Sequence, residues 1–166
     1  MKKQKGFSLI ELLIVVAIIL IIAAIAIPNL LRSKMAANEA SAVGSLRTIN
    51  TAQVTYSSTY GQGYAAALVN LSTPAGGCGV PSVALACLLD SNLGGGTKSG
   101  YKFTSAAING AGTTASPFLN FNSTANPVAA NSSGHTTYCS DDSGVIRFDA
   151  TGGAAPIPCG TSGLPP

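Results

Sequence analysis

GFSLIELLIVVAIILIIAAIAI, residues 6–27, is the stretch that decides how the rest of the chain folds. It contains no polar side chain from Leu12 to Ile27. With residues 7–10 the apolar run reaches about twenty residues, which as a helix matches the roughly 30 Å hydrocarbon core of a bilayer. Glu11 interrupts this run near its start. A carboxylate costs a few kcal/mol at that depth, so Glu11 indicates a functional site that supplies a partner for the charge.

A candidate partner for Glu11 arises if the peptide bond after Gly6 is cut. Phe7 then carries a free α-amine one helical turn from the carboxylate, and the basic leader, residues 1–6, is removed. A short basic leader ending in glycine, a phenylalanine, a glutamate five positions into the mature chain and an unbroken apolar helix together resemble a type IV prepilin with a class III leader peptide. The match is specific from Met1 to about Tyr60 and weak beyond it.

The resemblance implies a defined set of site residues and partners. A prepilin peptidase would cleave between Gly6 and Phe7 and methylate the new amine of Phe7. Glu11 would then pair with the amine of a neighbouring pilin subunit during assembly, and Pro28 would kink a continuing helix. Inner-membrane pilus assembly machinery would add the subunit to an extracellular type IV pilus.

Three alternatives remain open for the same stretch. Within the related families, a type II secretion pseudopilin has the same kind of N-terminus. An ordinary secretory signal peptide would end at Ala24-Ile25-Ala26, although the acid and the length of the apolar run argue against it. In the third alternative, the chain is a binding or enzymatic domain that is either held in the membrane by the uncleaved apolar segment or secreted.

The charge of the chain is concentrated at its N-terminus. Lys2, Lys3 and Lys5 account for the formal net charge of +3, and beyond Gly6 the six acidic residues balance the remaining basic ones. Because no basic patch is left, no nucleic-acid partner is predicted. By the positive-inside rule, the leader lysines predict a cytoplasmic N-terminus and a single membrane crossing before assembly.

The predicted organisation is a leader (1–6), a transmembrane or filament-core helix (7–27), an amphipathic continuation of that helix (28–60) and a globular head (61–166). In the continuation, Arg47, Thr51 and Thr55 fall opposite an apolar stripe. The residues of this stripe are Met35, Ala42, Leu46, Ile49, Tyr56 and Tyr60. Gly61 and Gly63 are expected to stop the helix.

The head is predicted to contain an antiparallel sheet. A short helix is expected over Ser82 to Asp90, and residues 61–100 otherwise predict a connecting loop. Beyond Gly100 the period changes to two in four β-rich runs, 101–104, 118–122, 136–139 and 145–148. The candidate core aromatics of this sheet are Phe103, Phe118 or Phe121, Tyr138 and Phe148. The sheet needs a cover, which the long helix supplies, so the fold class is α+β and pilin-like.

Four cysteines in a chain expected to leave the cytoplasm favour two disulfides. Three pairings are possible. Pairing Cys78 with Cys87 and Cys139 with Cys159 is favoured because each bond closes a short loop.

Catalytic and metal-binding chemistry are not predicted, and no cofactor is expected. The chain has no Cys-x-x-Cys and its one histidine, His135, sits in a loop-like stretch. Asp141, Asp142 and Asp149 are clustered but lack an EF-hand pattern, so solvated acids around a hairpin turn are expected instead of a metal. The resemblance to pseudopilins, which often hold calcium in a C-terminal loop, leaves calcium as the alternative.

Overall fold

Helix α1, Leu9–Tyr60, is the longest element in the computed structural model, which describes residues 8–74, 76–150 and 159. From Leu12 to Ile27 it has no polar side chain, and Pro28 lies inside the helix. The helix ends where Gly61 adopts a positive φ of 64° and donates its N–H to the carbonyl oxygen of Ser57 at 3.2 Å. This left-handed residue after the last turn is a common helix terminator. The leader and Phe7 lie outside the described residues.

The chain divides into two compact units, Met1–Lys34 and Met35–Pro166. In the first unit the large apolar side chains are exposed, from 44% for Val16 to 75% for Leu9. Among the described residues, α1 is the one helix long and apolar enough to cross a membrane by length and composition.

The second unit contains a five-stranded antiparallel sheet in the order β1-β2-β3-β4-β5. The strands are β1 (Thr97–Lys98), β2 (Tyr101–Ile108), β3 (Asn120–Pro127), β4 (Thr137–Asp141) and β5 (Ile146–Asp149). The predicted antiparallel meander is confirmed, and the α+β fold is as expected. Strand β1 was not predicted because two residues give no period. Phe118 lies before β3 and forms an isolated bridge with Gly63.

The apolar stripe of α1 packs on one face of the sheet in the second unit. The buried residues of α1 are Ala42, Ser45, Leu46, Ile49, Ala52, Gln53 and Tyr56. Tyr101, Phe103 and Tyr138 join them in the core from the sheet, and Tyr60 and Phe148 pack at its margin. Of the predicted stripe, Met35 is half-buried.

Phe121 is buried outside this main cluster. Its ring packs edge-on against Tyr64 with ring centroids 4.7 Å apart. Arg47, Thr51 and Thr55 are exposed, which confirms the predicted polar face of the helix.

The outer edge of β2 is covered near both of its ends. Strand β1 pairs with its first two residues, and the N–H of Phe103 donates to the carbonyl oxygen of Gly96 at 2.8 Å. Further along, Ala106 forms a bridge with Ala67, and the N–H of Ala107 donates to Ala66 at 3.3 Å. At these positions the backbone groups of the edge are therefore paired within the chain.

The predicted helix over Ser82 to Asp90 is wrong. This segment forms isolated bridges, Ser82 with Leu85 and Leu89 with Ser72. Asp90 instead begins a helix, α3 (Ser91–Gly94), because its side chain accepts from two N–H groups of the first turn. Of the apolar residues that suggested a helix, Ala86 and Leu89 are buried in the core and Val83 is exposed. They share this core with helix α2 (Leu68–Leu71), an element that was also not predicted.

Candidate assembly site

Glu11 lies in the first turn of α1, and its carboxylate completes the start of the helix. The Oε2 atom accepts from the backbone N–H of Ser8 at 2.9 Å, and the N–H of Leu12 donates to the carbonyl oxygen of Ser8 at 3.3 Å. A glutamate three residues after a capping serine is the pattern of a capping box. The Ser8-x-x-Glu11 spacing was therefore a readable signal for the helix start.

One carboxylate oxygen of Glu11 remains available. Within the residues that the structure describes, its Oε1 atom has no hydrogen bond. The side chain is exposed and is surrounded along the helix by apolar residues. In this part of the structure, Glu11 therefore caps the helix through one carboxylate oxygen and presents the other oxygen on an apolar helix surface.

The apolar surface of the first unit extends from Leu9 to Leu31, whose side chains are 75% and 54% exposed. Burial of one large apolar side chain contributes about 1.5 to 3 kcal/mol. This surface therefore requires a cover of lipid or of other helices.

Pro28 is exposed and does not end α1. Proline has no N–H to donate to the carbonyl oxygen of Ala24, which weakens the helix at this turn. The predicted continuation of the helix through Pro28 is confirmed. A kink there stays a prediction.

The N-terminal segment is similar to segments of known proteins. A family model described as the prokaryotic N-terminal methylation motif matches residues 1–27. The type IV wide pilus major component PilA4 of Thermus thermophilus is 62% identical over 39 residues, which are 24% of this chain and 30% of that protein. The type IV major pilin protein PilA of Myxococcus xanthus is 46% identical over 54 residues, 32% of this chain and 24% of that protein.

The N-terminal segment of this chain is similar to the N-termini of these two type IV pilins. The chain matches less than a third of the length of either pilin relative. No solved structure matches it significantly. Two of the predicted site residues, Gly6 and Phe7, lie outside the described residues, so cleavage and methylation there stay predictions.

The second unit carries two disulfides, Cys78–Cys87 and Cys139–Cys159. This is the favoured pairing. Cys87 has a positive φ of 57°, which lies outside the range of a right-handed α-helix. The first bond therefore closes a loop at the point where a helix was predicted.

The acidic turn after β4 is held by protein partners. Arg147 Nη1 lies 2.7 Å from Asp141 Oδ2, and Ser143 also bonds to Asp141. Asn120 donates to Asp142 Oδ2 at 3.0 Å. Asp141 is thus paired instead of solvated, contrary to expectation, and no group of three or more potential metal ligands occurs in the described part of the chain.

Acid is expected to destabilise the head partly through Asp141. Burial alone would raise the pKa of this carboxyl, but the bonds from Ser143 and Arg147 outweigh it and hold the pKa below its ordinary value of 3.8. A lowered pKa gives stability that is present above the ordinary value and lost as the pH falls through the folded-state value. Urea unfolding at about pH 6 and about pH 3 should show a smaller acid-induced loss in Asp141→Asn, by up to about 1 kcal/mol. An acid-induced loss equal to that of the wild type would contradict this assignment.

His135 is exposed, as expected for a loop histidine, and its ring Nδ1 lies 2.7 Å from Asn131 Oδ1. Its backbone has a role that was not predicted. The N–H groups of His135 and Thr136 both donate to Glu39 Oε1, at 2.8 and 3.1 Å. Asn38, next to Glu39, donates to the carbonyl oxygen of Ser133 at 2.7 Å. Polar residues of α1 therefore fix the loop between β3 and β4.

Replacement of Glu39 by alanine is expected to loosen this loop. Two hydrogen bonds to a charged acceptor are lost, and each contributes about 1.5 to 3 kcal/mol when it forms well. Because the site is part-exposed, we expect a loss of about 2 kcal/mol in the free energy of unfolding, and faster hydrogen exchange at His135 and Thr136. Glu39→Gln keeps an acceptor oxygen and should lose less. Equal hydrogen-exchange rates in wild type and Glu39→Ala would show that Glu39 does not fix this loop.

Proposed function

We propose that this chain is a structural subunit of an extracellular type IV pilus. The observation that carries the proposal is the apolar, exposed first half of α1 with a single acid at its start, on a segment that matches the N-terminal methylation motif. The relatives with this N-terminus are described as pilus components. The pilin family is a structural one, and the proposal assigns no catalytic role to this chain.

The precursor spans the inner membrane once, with its leader (1–6) in the cytoplasm. A prepilin peptidase removes the leader between Gly6 and Phe7 and methylates the amine of Phe7. Residues 7–27 then leave the lipid and form the filament core, residues 28–60 continue the helix into the head, and residues 61–166 form the filament surface. The inner-membrane assembly machinery carries out this transfer.

The energetics follow from the exposed apolar surface. Outside lipid, each large apolar side chain from Leu9 to Leu31 would lose about 1.5 to 3 kcal/mol by contact with water. Packing among identical or related pilin helices covers the same surface without lipid. Glu11 sets the register because its charge, left unpaired in such a core, is costly.

Mass spectrometry of the mature N-terminus tests the proposal. Methylated Phe7 is the expected result. A chain that begins at Ile27 would show secretion through an ordinary signal peptide, and one that begins at Met1 an uncleaved anchor. Either of these results would overturn the proposal.

Electron microscopy of cells that express this subunit separates a pilin from a pseudopilin. Long surface filaments decorated by this chain are expected. Labelling confined to short periplasmic structures would favour the type II secretion pseudopilin instead.

A further inference from the structure

A cavity of about 320 Å³ lies on the head, within the second unit, beside the C-terminal end of α1. Its walls include three aromatic side chains, Tyr56, Tyr64 and Phe118, and the amides Gln62 and Asn70. None of its lining residues carries a charged side chain. The volume is at the lower end of the range of small-molecule sites, which are typically lined by aromatic residues and a few polar groups.

The aromatic wall is fixed by backbone hydrogen bonds. The N–H of Phe118 donates to the carbonyl oxygen of Gln62 at 3.0 Å, and the N–H of Tyr64 donates to that of Phe118 at 3.2 Å. Gly112 has a φ of 66°, and a side chain at this position would collide with the Phe118 ring. These contacts hold the Phe118 ring and the Tyr64 segment beside each other before any ligand binds.

The opposite wall is fixed by side chains. The hydroxyl of Tyr56 donates to the carbonyl oxygen of Val83 at 2.9 Å, and Asn70 Nδ2 donates to that of Ala84 at 3.2 Å. The disulfide Cys78–Cys87 closes the loop that carries both carbonyls. The cavity is therefore preorganised, which lowers the entropic cost of binding.

Two polar groups in the cavity are free to bind a ligand. Within the described residues, no hydrogen bond involves the side-chain amide of Gln62 or the hydroxyl of Tyr64. An apolar ligand would leave these groups unpaired, and a charged ligand would lose water without gaining an opposite charge. A neutral sugar ring avoids both of these costs. Its C–H face packs on aromatic rings, and its hydroxyls pair with amide and phenol groups. We propose that this cavity binds a neutral carbohydrate of monosaccharide or disaccharide size.

The test uses the full mature chain in a zwitterionic detergent, because detergents with sugar headgroups would compete. Saturation-transfer NMR is recorded with glucose, galactose, N-acetylglucosamine, N-acetylgalactosamine and lactose, and with glucuronic acid and glucosamine as charged comparators. At least one neutral sugar should bind, and both charged sugars should bind more weakly than it does. Loss of one hydrogen bond in Gln62→Ala, or in Tyr64→Phe, should weaken binding about fivefold.

Asn92→Ala is the matched control, since Asn92 is an exposed amide outside the cavity. It should bind as the wild type does, and near-ultraviolet circular dichroism checks that every variant is folded. Three results would overturn the proposal: no neutral sugar binds at about 50 mM, the charged sugars bind as well as the neutral ones, or both cavity variants bind like the control. If Tyr64→Phe is not folded, Gln62→Ala alone decides.

Discussion

Cells that express Glu11→Ala as their only copy of this chain should make few or no surface filaments, although the leader is still cleaved. Without the carboxylate, the amine of a neighbouring Phe7 would enter an apolar core unpaired. Breaking a buried ion pair in this way costs about 3 to 5 kcal/mol, enough to lower incorporation a hundredfold or more. Insertion of the precursor into lipid should be unaffected, because alanine is less costly there than a carboxylate.

Two further variants separate the charge of Glu11 from its capping role. Glu11→Gln keeps an oxygen that can accept from the N–H of Ser8 but removes the charge, so it should also assemble poorly. Ser8→Ala keeps the backbone N–H that bonds to Glu11 and should assemble normally. Filament yield by shearing and the N-terminal mass are measured for each. Normal filaments from Glu11→Ala would contradict the proposal that Glu11 sets the register. Normal filaments from Glu11→Gln would show that Glu11 acts through its helix-capping hydrogen bond and not through its charge.

Gln53→Ala is expected to cost the head about 3 kcal/mol of unfolding free energy. Gln53 is fully buried in α1 and makes three hydrogen bonds across the core. Its Oε1 atom accepts from the N–H of Ala65 at 2.7 Å, and its Nε2 atom donates to Ser105 Oγ at 2.9 Å. Truncation leaves the N–H of Ala65 buried without this partner, at about 1 to 3 kcal/mol, removes one of the two bonds to Ser105 Oγ, and opens a cavity beside them.

Urea unfolding of the full chain in detergent, followed by tyrosine circular dichroism, measures this loss. Gln53→Met fills most of the volume but forms no such bonds, so it should remain destabilised relative to wild type. Val54→Ala is the control on the adjacent helix position, where the side chain is 58% exposed, and should change stability little. If Gln53→Met is as stable as wild type, packing and not hydrogen bonding is the contribution of Gln53.

The long helix and the sheet could be predicted because their apolar residues repeat with clear periods. Leu46 and Ile49 follow the helical period and are buried as expected. Gln53 could not be predicted, since a polar residue beside the stripe is ordinarily solvated. Its burial depends on Ser105, which is bonded in turn to Ser123 Oγ at 2.8 Å from the next strand. Only the pairing of β2 with β3 and the packing of α1 against them bring these groups together.

A functional role for Glu11 is predicted because a lone carboxylate in an apolar run is costly, and its part in assembly stays a prediction. Other features depended on the fold. The segment from Ser82 to Asp90 has helical spacing, but its backbone N–H groups pair elsewhere: that of Ala86 donates to the carbonyl oxygen of Asn70 at 2.7 Å. Glu39 accepts hydrogen bonds from backbone N–H groups 96 and 97 residues away. A local sequence pattern cannot predict contacts at that separation.

The covered part of the β2 edge affects how readily this chain can aggregate by strand pairing. A strand edge with unpaired backbone groups can template another strand, which is a common route to aggregation. Here β1, Gly96 and the segment at Ala66 and Ala67 occupy that edge from within the chain. A neighbouring chain therefore cannot add a strand to the parts of β2 that these segments occupy.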